Sequence, residues 1–269
     1  MRGLSRASLA EVEERFNAVA GSADLGTLAD ELFSVADLFD REHGLRRSMS
    51  DAARPAEQKA QILRVLLEGK VSAAALETAV AAVSARWARS GDLADSLERL
   101  GVVAAAAEAE AQGRLDDVED ELFRFGRIVA GNLDLHRMLA NPAAPAQGKR
   151  ELLGTLLGAK VAPTTLRLVT QIVVHPRGRS LDGGLEEFGS LVASQRQRLV
   201  AVVRSAVALS EEQKQRLAAW LRTSYGHDVH LNVEVDPRVL GGFSVRIGDD
   251  LIDTTIAGRI EEVRRRLAG

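Results

Sequence analysis

Cysteine is absent from the 269 residues, which excludes disulfides, thiolate metal ligands and cysteine nucleophiles. Aromatic residues make up only 4%, so any core has to be built mostly from Leu, Val and Ala, the material of helical bundles. Neither sign of charge dominates: 35 Lys and Arg stand against 38 Asp and Glu, a net of -3. That balance argues against a dedicated nucleic-acid binder, whose affinity rests on excess cations opposite phosphates. No apolar run reaches the roughly 18 residues of a membrane span, so membrane association is expected only through partners. Arg2 and Arg6 open the chain, but Glu11, Glu13 and Glu14 follow with no apolar signal-peptide core. The expectation is a mature cytosolic N-terminus.

What is present is helical periodicity. The length suffices for two or three domains, and a hydrophobic content of 46% can build their cores. Leu9, Val12, Phe16 and Val19 fall on one helical face, and Leu28, Leu32, Val35 and Phe39 on another, with Gly21 to Gly26 as the break between them. His43 and Gly44 mark the next break, after which Leu45 and Met49 sit on a short helix or turn. Pro55 can start a helix bearing Ile62, Leu63, Leu66 and Leu67. Leu76, Val80, Val83 and Trp87 mark one more, ended by Ser90 and Gly91.

The same text then returns. Asp30-Glu31-Leu32-Phe33 recurs as Asp120-Glu121-Leu122-Phe123, and Pro55-Ala56 with Lys59 as Pro145-Ala146 with Lys149. Leu63, Leu66, Leu67, Lys70, Val71 and Leu76 recur as Leu153, Leu156, Leu157, Lys160, Val161 and Leu166. All share one gapless offset of 90 residues, and about a third of positions between Asp30 and Leu76 are identical, an internal duplication too long for a solenoid unit. Asp92 to Gln112 joins the copies. It is Ala-rich, without Pro, and reads as one helix of about 31 Å at 1.5 Å per residue, ending the first copy and beginning the second.

From Leu199 the texture changes. Leu199 to Val207 reads as a strand, and Ser210 with Gln213 forms a capping box for a helix whose buried side carries Leu217, Trp220 and Leu221. Val229, Leu231, Val233 and Val235 alternate with polar residues, as in a half-buried strand. Asp236 and Pro237 end it, Gly241 and Gly242 permit a bend, and Phe243, Val245 and Ile247 resume the alternation. Gly248, Asp249 and Asp250 suit a hairpin turn into a short strand ending at Asp253. A last helix carries Ile256, Ile260, Val263 and Leu267, capped by Thr254 or Thr255. The expected architecture is mainly α: two tandem helical bundles sharing a long connecting helix (residues 1–100 and 101–195), followed by a small C-terminal α+β domain (196–269).

Candidate chemistry is sparse. Gly69-Lys70 lacks the earlier Gly and the following Ser or Thr of a phosphate loop. Asp249, Asp250 and Asp253 have no flanking calcium-loop ligands and read as turn and cap residues. His227 and His230 fall on opposite faces of a strand and do not chelate one metal. No cofactor, metal or catalytic residue is assigned. The basic loop His175-Pro176-Arg177-Gly178-Arg179-Ser180 reads as a solvated turn between helices, or else as a contact to an acidic partner surface. Arg264, Arg265 and Arg266 suit a helix C-terminus.

The run V-D-P-x-x-x-G-G-F-x-V-R-x-G-D-x-x-x-D from Val235 to Asp253 resembles the C-terminal signature of the delta subunit of rotary ATP synthases, the oligomycin-sensitivity-conferring protein of mitochondria. Its signature residues here are Asp236, Pro237, Gly241, Gly242, Gly248, Asp249 and Asp253. Thr254 and Thr255 depart from the Gly and Ser more frequent in the family. Gly113-Arg114-Leu115, Asn141-Pro142, Lys149 with Leu152 and Leu153, and Arg179 to Leu191 resemble the family's six-helix N-terminal domain. The first copy is extra, as in a long actinobacterial form. The resemblance implies a non-catalytic peripheral-stalk subunit at the cytoplasmic face of the cell membrane. Its helical domain would bind N-terminal helices of alpha subunits, its C-terminal domain would grip the end of subunit b, and the whole would resist rotor torque. Shallow apolar grooves between Ala-rich helices suit such partners. A helical adaptor outside any rotary machine is the alternative, and a small hydrolase a more distant third.

Overall fold

The computed structural model describes residues 3–196, 199–207, 209–225, 229–236, 239, 243–247 and 250–253. Its contacts divide the chain after Gln195 into two units. The first begins with α1 (Leu4–Ala20), α2 (Leu25–Arg41), α3 (His43–Ser50), α4 (Ala56–Leu67) and α5 (Ala73–Ser84), and continues through α6 (Ser90–Ala111). It then runs through α7 (Leu115–Gly131), α8 (Leu133–Ala140), α9 (Ala146–Leu157), α10 (Pro163–Val174) and α11 (Leu181–Arg196). Both ends of α2 to α5 reappear in α7 to α10 displaced by 90 residues, from Leu25 and Leu115 at one extreme to Ser84 and Val174 at the other. The duplication read in the sequence is therefore a duplication of elements.

Local chemistry explains why the elements repeat. Pro55 and Pro145 each stand at the N-cap of α4 and α9, where a missing N–H costs nothing. Glu31 accepts the Ser72 N–H at 2.9 Å, and Glu121 accepts the Ala162 N–H at 2.8 Å, so the repeated carboxylate ties α2 to the start of α5 and α7 to the start of α10. Asp24 caps α2 through the Thr27 N–H at 2.7 Å, a bond that holds its carboxyl below the ordinary range. Lys59 and Lys149 are both buried, and burial lowers the pKa of each ammonium. The Lys149 Nζ donates to the Val173 carbonyl at 3.2 Å, at the negative end of α10.

α6 serves both repeats. Its 22 residues span about 33 Å, and Leu93, Leu97, Leu100, Val102, Ala104, Ala105 and Ala106 are all inaccessible to solvent. One continuous apolar core runs from Val12 to Val192 across both repeats. The ring of Phe33 on α2 lies directly over Gly101, where an added Cβ would sit 2.7 Å from its Cε1. Gly101 is thus a contact point for close helix approach, and its counterpart 90 residues on is Leu191.

Two boundaries differ from the sequence expectation. The helix bearing Val80 and Val83 stops at Ser84, and Trp87 lies beyond it with its indole N–H donating to the Ala82 carbonyl at 2.8 Å. The indole satisfies an end carbonyl and covers the helix terminus. Ser90 and Gly91 then open α6 instead of closing α5.

The second unit holds β1 (Leu199–Ser205), α12 (Glu211–Tyr225), β2 (Val229–Val235), β3 (Phe243–Ile247) and β4 (Asp250–Asp253). The sheet order is β2-β1-β3-β4, with β1 parallel to β2 and antiparallel to β3, and β3 antiparallel to β4. Ile247 pairs with Asp250 across the hairpin. The expected capping box is formed: the Gln213 N–H donates to Ser210 Oγ at 3.2 Å and the Ser210 N–H to Gln213 Oε1 at 2.8 Å. Val203, Val245, Leu217 and Leu221 make the core. Trp220, expected beside them, is 50% exposed: Leu217 and Leu221 are one helical step of four apart, and that stripe is narrow enough to leave position 220 at its edge. The expected final helix, including Thr254, Thr255 and Arg264 to Arg266, lies outside the described residues.

Gly101→Leu, which installs the residue of the equivalent position in the second repeat, is expected to lower the stability of the helical unit by about 2 kcal/mol through overpacking against Phe33. Urea unfolding followed by helical circular dichroism checks this, with Gly113→Leu as a control that strains only a surface turn.

Candidate functional site

The described residues contain no group of three or more His, Asp or Glu placed to hold a metal, and no described helix is long and apolar enough to cross a membrane. The charged chemistry of the helical unit gathers instead around the loop 175–180 that joins α10 to α11. Read as a solvated turn, this loop is in fact packed into the protein. Arg177 adopts a left-handed backbone, φ 53°, followed by Gly178 at φ 75°, which turns its side chain inward until 5% is exposed.

There Arg177 meets Asp40 of α2 at 2.6 Å and, on α6, Asp95 at 2.9 Å and Glu98 at 3.6 Å. Arg179 reaches Glu98 at 2.7 Å and Glu187 of α11 at 2.9 Å, with its guanidinium 5.4 Å from the Phe188 ring centroid. His175 Nδ1 lies 3.0 Å from Asp37, and Gln171 Nε2 donates to Glu98 Oε1 at 3.3 Å. On α10, Arg167 bridges Asp30 of α2 at 2.9 Å and Glu108 of α6 at 2.5 Å. The acidic surface that the loop contacts belongs to the same chain.

The energetics are divided. Burial pushes the Glu98 carboxyl up, and Arg179 and Arg177 pull it only partly back. Burial also opposes the Arg179 charge, but Glu98 and Glu187 outweigh it and raise that guanidinium. Several contacts are ion pairs without good hydrogen-bond direction: Arg177 Nε and Nη1 and Arg179 Nη2 are buried with no well-aligned acceptor. Four carboxylates, Asp40, Asp95, Glu98 and Glu187, face Arg177 and Arg179, with Arg46 also meeting Asp40 at 3.0 Å. The cluster is short of cations. Some of its side chains line a cleft of about 460 Å³, together with Arg6, Leu9 and Leu191, yet its charges are spent on one another, which suits a structural joint and not a ligand cradle.

Sequence reasoning missed this joint. The available signal was asymmetry between the repeats: Asp37 and Asp40 of the first become Arg127 and Ala130 in the second. Glu31 and Glu121, retained by both copies, serve each copy's own fold, whereas Asp37 and Asp40, which differ, join the first copy to the second.

Of the signature residues, Asp236 follows β2 and its N–H donates to the Ser205 carbonyl at 2.9 Å, while Asp253 ends β4 opposite Ser244. Pro237, Gly241, Gly242, Gly248 and Asp249 lie outside the described residues, as does His227. His230 falls within β2, paired in register with Val200.

Residues 102–267 match the family described as ATP synthase delta (OSCP) subunit. The "ATP synthase subunit delta" of Thermobifida fusca is 50% identical over the whole of both chains. That of Streptomyces coelicolor is 49% identical over 100% of this chain and 98% of its own. That of Kineococcus radiotolerans is 44% identical over 99% and 98%. A chain of the Toxoplasma gondii mitochondrial ATP synthase hexamer covers 62% of this chain and 95% of its own at 16% identity, with a TM-score of 0.28, and adds nothing to the fold described above.

The shortage of cations makes the cluster asymmetric to substitution. Arg177→Met is expected to cost about 3 to 5 kcal/mol, because Asp40, Asp95 and Glu98 lose their shared partner. Glu98→Gln is expected to cost under about 1 kcal/mol, since the raised carboxyl pKa says that a neutral group is well tolerated there. A raised folded pKa means that the native state binds the proton more tightly than the unfolded chain. The stability of wild type relative to Glu98→Gln should therefore fall as pH rises above the ordinary value of 4.5. Urea midpoints measured across that pH range check both statements.

Proposed function

The chain belongs to the ATP synthase delta (OSCP) subunit family, a non-catalytic subunit of that complex, and on that premise we propose that it is the stator link of a proton-translocating ATP synthase. In this reading residues 101–195 bind N-terminal helices of the alpha subunits and residues 196–269 hold the C-terminal end of subunit b. Residues 1–100 brace the second repeat and lengthen the stalk. The protein is held at the cytoplasmic face of the membrane by these partners, and its task is to keep the head from turning with the rotor.

The observation that carries the reading is identity near one half along the full length of chains named as this subunit. The physics of the helical unit supports it. Torque resistance needs a body that transmits force without bending, and a helix buried on all sides for most of its 22 residues, with charge pairs from α10 and from the loop that follows it closing on it, is such a body. A flexible linker at the same position would dissipate the load as conformational entropy.

An affinity-tagged chain, purified from detergent-solubilised membranes, is expected to bring alpha, beta and b with it, and the isolated chain to turn over no ATP. Recovery of none of the three would overturn the stator reading.

A further inference from the structure

Along α2 the seam between the repeats sets three acids of the first repeat against side chains of the second. Asp30 is met by Arg167, and Asp40 by Arg177 and by Arg46 of its own repeat. Asp37 is met by no Lys or Arg among the described residues. Its cation is His175, whose Nδ1 lies 3.0 Å away, and the Gln171 amide donates to the same carboxylate oxygen at 3.4 Å. The Asp37 side chain is only 15% exposed and the imidazole 25%. Neither partner has its like in the other copy: 90 residues on from Asp37 stands Arg127, and 90 residues before His175 stands Ala85. The pair belongs to the seam and not to the fold of either bundle.

We propose that Asp37 and His175 form a pH-sensitive tie, which holds the two repeats more firmly together on the acid side of neutrality. Imidazole is the side chain whose charge changes in that range. The neutral ring offers Asp37 a hydrogen bond from Nδ1–H, while its Nε2 faces the Arg150 guanidinium of α9 at 3.5 Å. Protonation turns the first contact into an ion pair and sets the second against a like charge. The two effects are unequal. Asp37 is mostly buried, where attraction is little screened, whereas Arg150 is exposed and its repulsion is damped by water. The C-terminus of α10, where His175 is the C-cap, adds to the attraction of a positive ring. The tie is present while the ring is protonated and is lost as it deprotonates.

The other charges around the ring are engaged elsewhere. Arg177, in the same loop, is held by Asp40, Asp95 and Glu98, and Arg46 of α3 by Asp40. Arg89, at the N-cap of α6, is held by Asp92, and Arg167 of α10 by Asp30 and Glu108. His43 of α3 borders the same cleft from an exposed position. His136 pairs with Asp182 inside the second repeat and does not cross the seam. The tie does not depend on the stator reading; within that reading it makes the stiffness of the link a function of pH.

The absence of native cysteine makes the test clean. Val65→Cys with Met138→Cys, at exposed positions of the first and second repeats, places one pair of spin labels on the full chain, and double electron-electron resonance reads the spread of distances between them. The spread is expected to be narrower at about pH 6 than at about pH 8, and to lose that dependence in Asp37→Asn and in His175→Gln. Urea unfolding of the unlabelled chain gives the energetic readout. The two substitutions should be coupled by about fivefold in the unfolding equilibrium constant at about pH 6, and by less than about twofold at about pH 8. A spread that ignores pH in the otherwise unaltered chain, a pH response that survives both substitutions, or a coupling equal at the two pH values would overturn the tie. Because the purified chain is used alone, each of these outcomes leaves the stator reading standing.

Discussion

The constraint on which the helical unit depends is that one helix, α6, has to satisfy two repeats at once. It closes the first repeat by packing against α2 and opens the second by packing against α10 and α7, and so it has almost no free face. A surface helix needs an apolar stripe on one side; α6 needs small and apolar residues nearly all round. Its run of Val102, Val103, Ala104, Ala105 and Ala106 meets that need with side chains slim enough for neighbours to approach from several directions. Gly101 is the extreme case, with only hydrogen where the Phe33 ring lies. Bending such a helix would open voids on every side, which close-packed interiors resist.

Into this apolar helix the chain sets two buried acids, Asp92 near its start and Glu98 at mid-helix, and Glu98 is the costly one to place. Its return is orientation more than stability. Dispersion and apolar burial would tolerate small rotations of the second repeat about α6, because slim Ala side chains offer few fixed steps. Arg177 and Arg179 arrive from a loop held in a left-handed turn, and they reach Glu98, Asp40, Asp95 and Glu187 together only at one setting. Buried ionic groups that fix register at some expense of stability are known from other helical assemblies. Here the same device explains why the basic loop is turned inward.

Much of this was legible before any coordinates. The gapless repeat, the connecting helix, the capping box at Ser210 and Gln213 and the alternation of β2 and β3 are local signals, each set by a residue's own neighbours in sequence. What was not legible was long-range. Nothing near Arg177 says that its partners stand at positions 40, 95 and 98, so a loop rich in Arg and Gly reads as solvated. Trp87 was assigned to a helix by spacing alone, although its indole does more by capping the carbonyl of Ala82 from outside. Trp220 met the helical period but not the width of the buried stripe. The asymmetry of acids between repeats was in plain view as sequence, and only the fold gives it meaning.

The proposed role as a stator link asks the two repeats to move as one body, and that is the central physical claim. Native-state hydrogen exchange along α6 in the full chain tests it most directly, because local opening and global unfolding leave different signatures in slowly exchanging amides. If the account holds, amides on both sides of Gly101, from Leu93 to Ala109, exchange with a single common free energy equal to that of unfolding the helical unit. Two separate free energies, with the change falling near Gly101, would show the repeats opening independently and would contradict it.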